Sequence, residues 1–224
     1  MLIPVVSYVF FGLFGGVSLV EIVLAFFEKE KARKIVKPFC LLSLTLAIAF
    51  FVPHHPLLYI GAIFGMIGDA FLVSTKPKFF IPGMIAFFIG HLFYISEILF
   101  ILKLAQYLPW WFYVACVLFL LSISLAFYKL SLGIAKNKTI AILGNLYLGL
   151  LVIVTLIFIL ASVKQPGSYF YLGIIGGVSF LVSDLILTQA TFVKDFKRRD
   201  FYIMTFYLIG QLLITLGIAF SIAA

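Results

Sequence analysis

Four of the eight acids in this sequence, Glu21, Asp69, Glu97 and Asp184, stand inside long apolar runs, together with His91, Asn145 and Gln211 and the phenols of Tyr94, Tyr147 and Tyr207. In a run that crosses a bilayer an ionisable side chain costs at least ~2.5–3.5 kcal/mol on insertion scales, so it faces a cavity or a partner. Two aspartates and one histidine suit acid–base chemistry. Brought together in a dry site, two carboxylates are expected to hold one proton between them, one serving as acid and the other as base. That arrangement fits hydrolysis through an oxocarbenium-like state, where one carboxyl delivers a proton and the other handles water. A zinc hydrolase needs about three protein ligands. Of the three histidines, His54 and His55 share one Pro-flanked turn, so no three-histidine centre fits within the apolar runs. No G-x-S-x-G nucleophile motif occurs either. Neither a metal nor a cofactor is expected.

Plainer roles compete for several of these residues. Tyr, Asn and Gln in apolar helices serve as hydrogen-bonding glue between neighbours. Glu21 is close enough to the end of its run to reach the interface or to pair with Lys37. His54 and His55 read as solvated turn residues, and Cys40 and Cys116 as buried thiols. Asp69 and Asp184 are different: their side chains are too short to reach far, and they stand at matched depth.

The elements that must carry these residues follow from composition. The chain of 224 residues is 65% apolar and 11% charged, against ~25% charged residues in soluble domains. Apolar runs of about twenty residues select membrane-spanning helices over barrel strands. Eight spans are expected, at residues 3–27, 35–52, 57–74, 79–102, 110–128, 139–161, 169–192 and 201–222. No hydrophilic stretch is long enough for a second domain, so a single all-α transmembrane domain over 1–224 is expected. Short links make consecutive spans antiparallel neighbours. The first seven residues carry no basic side chain and the first run is too long for a signal-peptide core, so it reads as a span.

Fourteen of the sixteen Lys and Arg residues lie on or beside the odd-numbered links; only Lys103 and Lys164 lie on the other side. The positive-inside rule then puts the odd-numbered links in the cytoplasm and both termini outside, with Trp110 and Trp111 in an outer interfacial belt. The net charge of +8 is read as loop charge facing anionic lipid, not as a nucleic-acid surface. Asp69 and Asp184 fall ~9 Å inside the cytoplasmic ends of spans three and seven at 1.5 Å per residue. His91 lies near the midplane of span four, and Tyr147 and Tyr207 stand six to eight residues into spans six and eight. A polar band toward the inner leaflet results. His91 and Tyr94 share one helix face, as do Tyr207 and Gln211. Gly61, Gly68-Asp69 and Leu72 reappear as Gly176, Ser183-Asp184 and Leu187 at a constant offset of 115, which suggests a parallel repeat of four plus four helices.

The segments Gly68-Asp69-Ala70-Phe71-Leu72, Phe88-Ile89-Gly90-His91-Leu92-Phe93-Tyr94, Gly177 to Leu187 around Ser183-Asp184, and Tyr207-Leu208-Ile209-Gly210-Gln211 resemble the YhhN family, the lysoplasmalogenases. Lys37-Pro38 and the Asn145/Tyr147 region add to the likeness. Gly210 departs from it where Ala is expected, a matter of packing. The resemblance implies an integral protein of a bacterial-type inner membrane that hydrolyses the vinyl ether bond of a lysoplasmalogen, releasing a fatty aldehyde and a glycerophospho-head group. It implies Asp69, Asp184 and His91 as catalytic residues. Lys37 would meet the lipid phosphate, and Tyr94, Asn145, Tyr147, Ser183, Tyr207 and Gln211 would line the substrate. The partners implied are a lysophospholipid substrate and membrane lipid. Two other classes fit intramembrane acids: a proton-coupled transporter, against which no Pro-broken helix pair is found, and a non-catalytic membrane protein whose polar residues are only glue.

Overall fold

The computed structural model describes residues 2–73, 79–103, 114 and 138–224. Among these the chain is helical throughout. It forms α1 (Leu2–Phe26), α2 (Glu30–Phe51), α3 (Pro56–Leu72), α4 (Phe80–Ile101), α5 (Lys138–Lys164), α6 (Phe170–Thr188) and α7 (Arg199–Ala223), with a single π-helical turn, Gln189–Val193, continuing α6. Six of these helices are long and apolar enough to cross a membrane; α3, with 17 residues, is the shorter apolar one. The expected span at 110–128, with Cys116 and the Trp110–Trp111 pair, lies outside the described residues, as do Lys76 and Lys78.

Helix ends follow local chemistry. Pro56 opens α3, where its missing N–H is no loss and its fixed φ suits the first turn. α2 starts earlier than the apolar run at 35–52 suggests. Glu30 stands in its first turn and good helix formers follow, so Lys31, Arg33 and Lys34 ride on the helix and not in a loop. The chain turns into it through Glu28, whose φ is +56°. Pro38 lies inside α2, where it removes one backbone hydrogen bond in the turn that carries Lys37.

α7 is the central helix and touches α1, α2, α3, α4 and α6; α1 packs along α2, α3 along α4, and α5 bridges α4 and α6. The core is aliphatic and aromatic, with Leu41, Leu44, Ile48, Leu58, Ile98, Leu150, Phe158, Phe170, Phe180 and Met204 all but inaccessible. Buried with them are Glu21, Asp69, His91, Glu97, Asn145 and Gln211.

Two helix pairs cross in the same way. In α3 and α4 a Cβ added to Gly61 would lie 3.0 Å from the Gly90 carbonyl oxygen, and one added to Gly90 would lie 2.8 Å from the Gly61 carbonyl oxygen. In α6 and α7 the corresponding separations are 3.0 Å from Gly176 to the Gly210 oxygen and 3.1 Å from Gly210 to the Gly176 oxygen. Only glycine lets backbones approach this closely. Gly176 is Gly61 displaced by 115 positions; Gly90-His91-Leu92 recurs as Gly210-Gln211-Leu212 at an offset of 120. The likeness holds for these two helix pairs.

Candidate active site

Both aspartates sit toward the C-terminal ends of their helices, Asp69 in the last turn of α3 and Asp184 four residues before the end of α6 and its π-helical continuation. Asp69 is buried and held on both oxygens. Its Oδ1 faces the Lys37 ammonium of α2 at 3.1 Å, and its Oδ2 accepts a hydrogen bond from the Tyr207 hydroxyl of α7 at 2.7 Å. Residues 37, 69 and 207 are distant in sequence and meet only because α7 runs against both α2 and α3.

Asp184 has a different environment. It is partly buried as a residue, yet its Oδ2 is fully buried and has no hydrogen-bond partner among the described residues. Its neighbours are the Tyr147 hydroxyl of α5 and, within electrostatic range, Asp69. No ion pair of Asp184 is present among the described residues, whereas Asp69 has Lys37. The two carboxylates thus share a site but not a counter-ion.

α4 supplies His91 and Tyr94. The His91 Nδ1–H donates to the Phe87 carbonyl oxygen at 2.8 Å, one helical turn back. That bond fixes the tautomer and leaves Nε2, in the neutral ring, as a buried acceptor without a partner. The His91 ring packs edge-on against Phe180 (centroids 4.7 Å apart), Tyr94 (5.8 Å) and Tyr147 (6.3 Å). The Tyr94 hydroxyl donates to Gln211 Oε1 at 3.1 Å, while Gln211 Nε2 is buried without a partner. Gly65 makes room for that amide: a Cβ there would lie 3.3 Å from Gln211 Nε2.

The residues singled out in the sequence therefore come together: Lys37, Asp69, His91, Tyr94, Tyr147, Asp184, Tyr207 and Gln211 form one connected buried cluster. Asn145 is buried two residues before Tyr147 on α5. Ser183 is engaged elsewhere, its hydroxyl donating to the Ile203 carbonyl oxygen of α7 at 3.0 Å, next to the similar tie from Ser179 to Phe206. Lys37 spends its charge on Asp69.

Two pairings differ from the sequence reading. Glu21, fully buried, pairs with Arg33 at 2.9 Å rather than with Lys37. Arg33 also pairs with Asp200, so one guanidinium ties α1, α2 and α7 together. A planar fork with several donors can bridge two carboxylates where a lysine ammonium serves as a point charge. His55 is not a free turn residue; its Nδ1 meets the buried Glu97 carboxylate of α4. That pair lies at the far end of the bundle, beside an open cleft lined by Leu99, Lys103 and Ser221.

No group of three or more metal-ligating side chains occurs among the described residues. What the cluster offers is an ion-paired carboxylate, a second carboxylate without a cation, and several directional polar groups in an apolar, aromatic wall. Such a set can deliver a proton and withdraw one within a single enclosure. The sequence model of the YhhN family matches residues 32–218, which includes every member of the cluster. No curated protein and no solved structure matches the chain.

Proposed function

The chain belongs to the YhhN family, and from that premise we propose that it is a lysoplasmalogenase, an integral membrane hydrolase of the vinyl ether bond in 1-alkenyl lysophospholipids. The observation that carries this reading is the unequal treatment of the two aspartates: Asp69 is held by Lys37 and Tyr207, and Asp184 has no cation beside it. A buried carboxylate is tolerated when paired and hydrogen-bonded, and a buried carboxyl without a counter-ion is accommodated best as the neutral acid. Asp69 is then the base and Asp184 the proton donor.

The reaction follows in three steps. The Asp184 proton adds to the vinyl carbon remote from the ether oxygen, and the electron pair of the double bond forms the new C–H bond. The oxygen-bearing carbon becomes an oxocarbenium ion. Water attacks that carbon and gives its proton to Asp69, producing a hemiacetal. The C–O bond to glycerol then breaks. The departing oxygen takes the proton from Asp69, and the hemiacetal hydroxyl returns one to Asp184. The products are a fatty aldehyde and the glycerophospho-head group, and both aspartates end as they began. On this reading the chain is one transmembrane domain of eight spans with both termini outside. The site opens toward the basic, cytoplasmic end, where a lysolipid enters from the inner leaflet.

Purified protein incubated with a 1-alkenyl lysophospholipid should release aldehyde. Asp69→Asn and Asp184→Asn should each abolish release; expression and melting temperature should stay near those of the parent in Asp184→Asn, and the melting temperature should fall in Asp69→Asn, which leaves Lys37 without its counter-ion. A parental rate in either variant overturns the scheme, and movement of the lipid across vesicles without cleavage replaces it with transport.

A further inference from the structure

The Arg33 guanidinium joins three helices, and the reaction scheme gives it no part. Its Nε donates to Glu21 Oε1 of α1 at 2.9 Å, and its Nη1 pairs with Asp200 Oδ2 of α7. Glu21 is fully buried, so the bundle must bring a cation to it. Asp200 stands in the first turn of α7 and is 35% exposed. The guanidinium therefore links a buried acid on one side with a surface acid on the other.

Both ends of the Arg33–Asp200 pair are in register with the buried cluster. On α2, Lys37 follows Arg33 by four residues, so the two side chains leave the same face one turn apart. On α7, Tyr207 follows Asp200 by seven residues, about two turns along the same face. Deeper in the bundle than the ion pair, Lys37 and Tyr207 meet the two oxygens of Asp69 at 3.1 Å and 2.7 Å. Two rungs thus connect α2 with α7: Arg33–Asp200 at the basic end, and Lys37–Asp69–Tyr207 inside.

The inner rung depends on the register that the first one sets. A hydroxyl bond to a carboxylate tolerates an error of only a few tenths of an ångström, so Tyr207 reaches Asp69 at one depth and one rotation of α7. A planar guanidinium that holds carboxylates on two sides fixes depth and rotation together. The other polar ties along this stretch of α7 run elsewhere. Ser183 and Ser179 bond the Ile203 and Phe206 carbonyl oxygens and hold α7 to α6. Arg199 meets Asp200 at 3.4 Å and Asp195 at 2.9 Å, contacts that stay within one stretch of chain. Among the described residues Arg33–Asp200 is the direct ion pair between α2 and α7.

We infer that Arg33 and Asp200 are positioning residues for the hydrolysis: their ion pair sets the register of α7 against α2 in which Lys37 and Tyr207 hold Asp69 from both sides. Glu21 is the third member, steadying the guanidinium from α1. The inference rests on the hydrolase reading above and extends it to residues outside the buried cluster.

Removing Arg33 would leave Glu21 buried with no cation in contact, a change that threatens the fold itself. Asp200 is the side to vary. Asp200→Asn should lower kcat on a 1-alkenyl lysolipid by roughly 10-fold with KM little changed. Asp200→Glu, which keeps the charge, should recover most of that loss. Arg199→Gln, which removes only the surface partner, should match the parent. The decisive measurement is a double-mutant cycle with Tyr207→Phe. Once the hydroxyl is gone its position no longer matters, so in that background Asp200→Asn should cost about twofold or less. A loss of equal size in both backgrounds means that Asp200 does not act through Tyr207 and overturns the inference, as does a parental kcat in Asp200→Asn. If the wild type cleaves no vinyl ether, the hydrolase reading fails and the cycle is read in melting temperature instead. A loss from Asp200→Asn that shrinks in the Tyr207→Phe background then keeps the two-rung register, and equal losses remove it.

Discussion

Lys37 and Asp69 meet across α2 and α3 at 3.1 Å, with side-chain exposures of only 14% and 3%. Burying either charge alone is costly, and breaking a buried pair from one side costs about 3–5 kcal/mol because the other charge is left uncompensated. Lys37→Met should therefore lower stability by about 3 kcal/mol. Adding Asp69→Asn to it should restore most of that loss, since the orphaned charge is gone. Thermal unfolding of the two single variants and the double variant in detergent measures the coupling. Additive losses would mean that the two side chains do not sense each other.

Tyr207→Phe is a narrower change, because it deletes one oxygen and keeps the ring packed edge-on against Phe87 and Phe180. The lost hydrogen bond is the 2.7 Å contact to Asp69 Oδ2. A bond to a charged acceptor contributes about 1.5–3 kcal/mol. If Asp69 must be aimed at the attacking water, the loss should be in kcat, by roughly 10- to 100-fold, with KM little changed and the melting temperature lowered by a few degrees. A change confined to KM would place Tyr207 in substrate binding instead.

Protonation on carbon leaves an isotopic mark. In the proposed reaction the Asp184 proton ends in a C–H bond next to the aldehyde carbonyl. Hydrolysis in heavy water, followed by immediate reduction of the aldehyde to the alcohol, should give product with one deuterium on that carbon. An enol released by cleavage on the glycerol side would take up its deuterium in bulk solvent without facial preference, so a single configuration at the labelled carbon supports delivery by Asp184 and a racemic label overturns it.

How far the sequence alone could reach is clear from particular residues. Helical spans, matched aspartates and the shared faces of His91 with Tyr94 and of Tyr207 with Gln211 all follow from period and depth, which are local properties. The helical core around α7 and the contact between these faces agree with that reading. Partners across helices were not legible. Lys37 with Asp69, Arg33 with Glu21, and His55 with Glu97 each depend on how two helices are rotated against one another, which no single span records. His55 is instructive: a Pro-flanked turn looked solvated, yet the turn folds back far enough to reach a buried carboxylate on α4. The equivalence of His91 and Gln211 emerged only with the crossings, because the offset is 115 for the first helix of each pair and 120 for the second.

The crossings make a last prediction about what holds the cluster in place. A Cβ at Gly61 would lie 2.5 Å from Tyr94 Cε1, and one at Gly176 would lie 2.7 Å from the Ile214 backbone nitrogen. Gly61→Ala and Gly176→Ala should each force their helix pair apart and destabilise by about 1–3 kcal/mol, as overpacking does. Gly12 on α1 has nothing within 4 Å of an added Cβ, so Gly12→Ala should be neutral or slightly stabilising through helix propensity. The two crossing variants should differ in activity beyond their stability. At Gly61 the displaced group is the Tyr94 ring, which bonds Gln211. At Gly176 it is the backbone of α7, below both Tyr207 and Gln211. Gly61→Ala should mainly raise KM through Tyr94, which is expected to line the substrate, whereas Gly176→Ala should lower kcat through Tyr207, which holds Asp69. Melting temperatures together with kcat and KM on the 1-alkenyl lysolipid check this. Equal stability of all three glycine variants would show that the helices are not held together at these crossings.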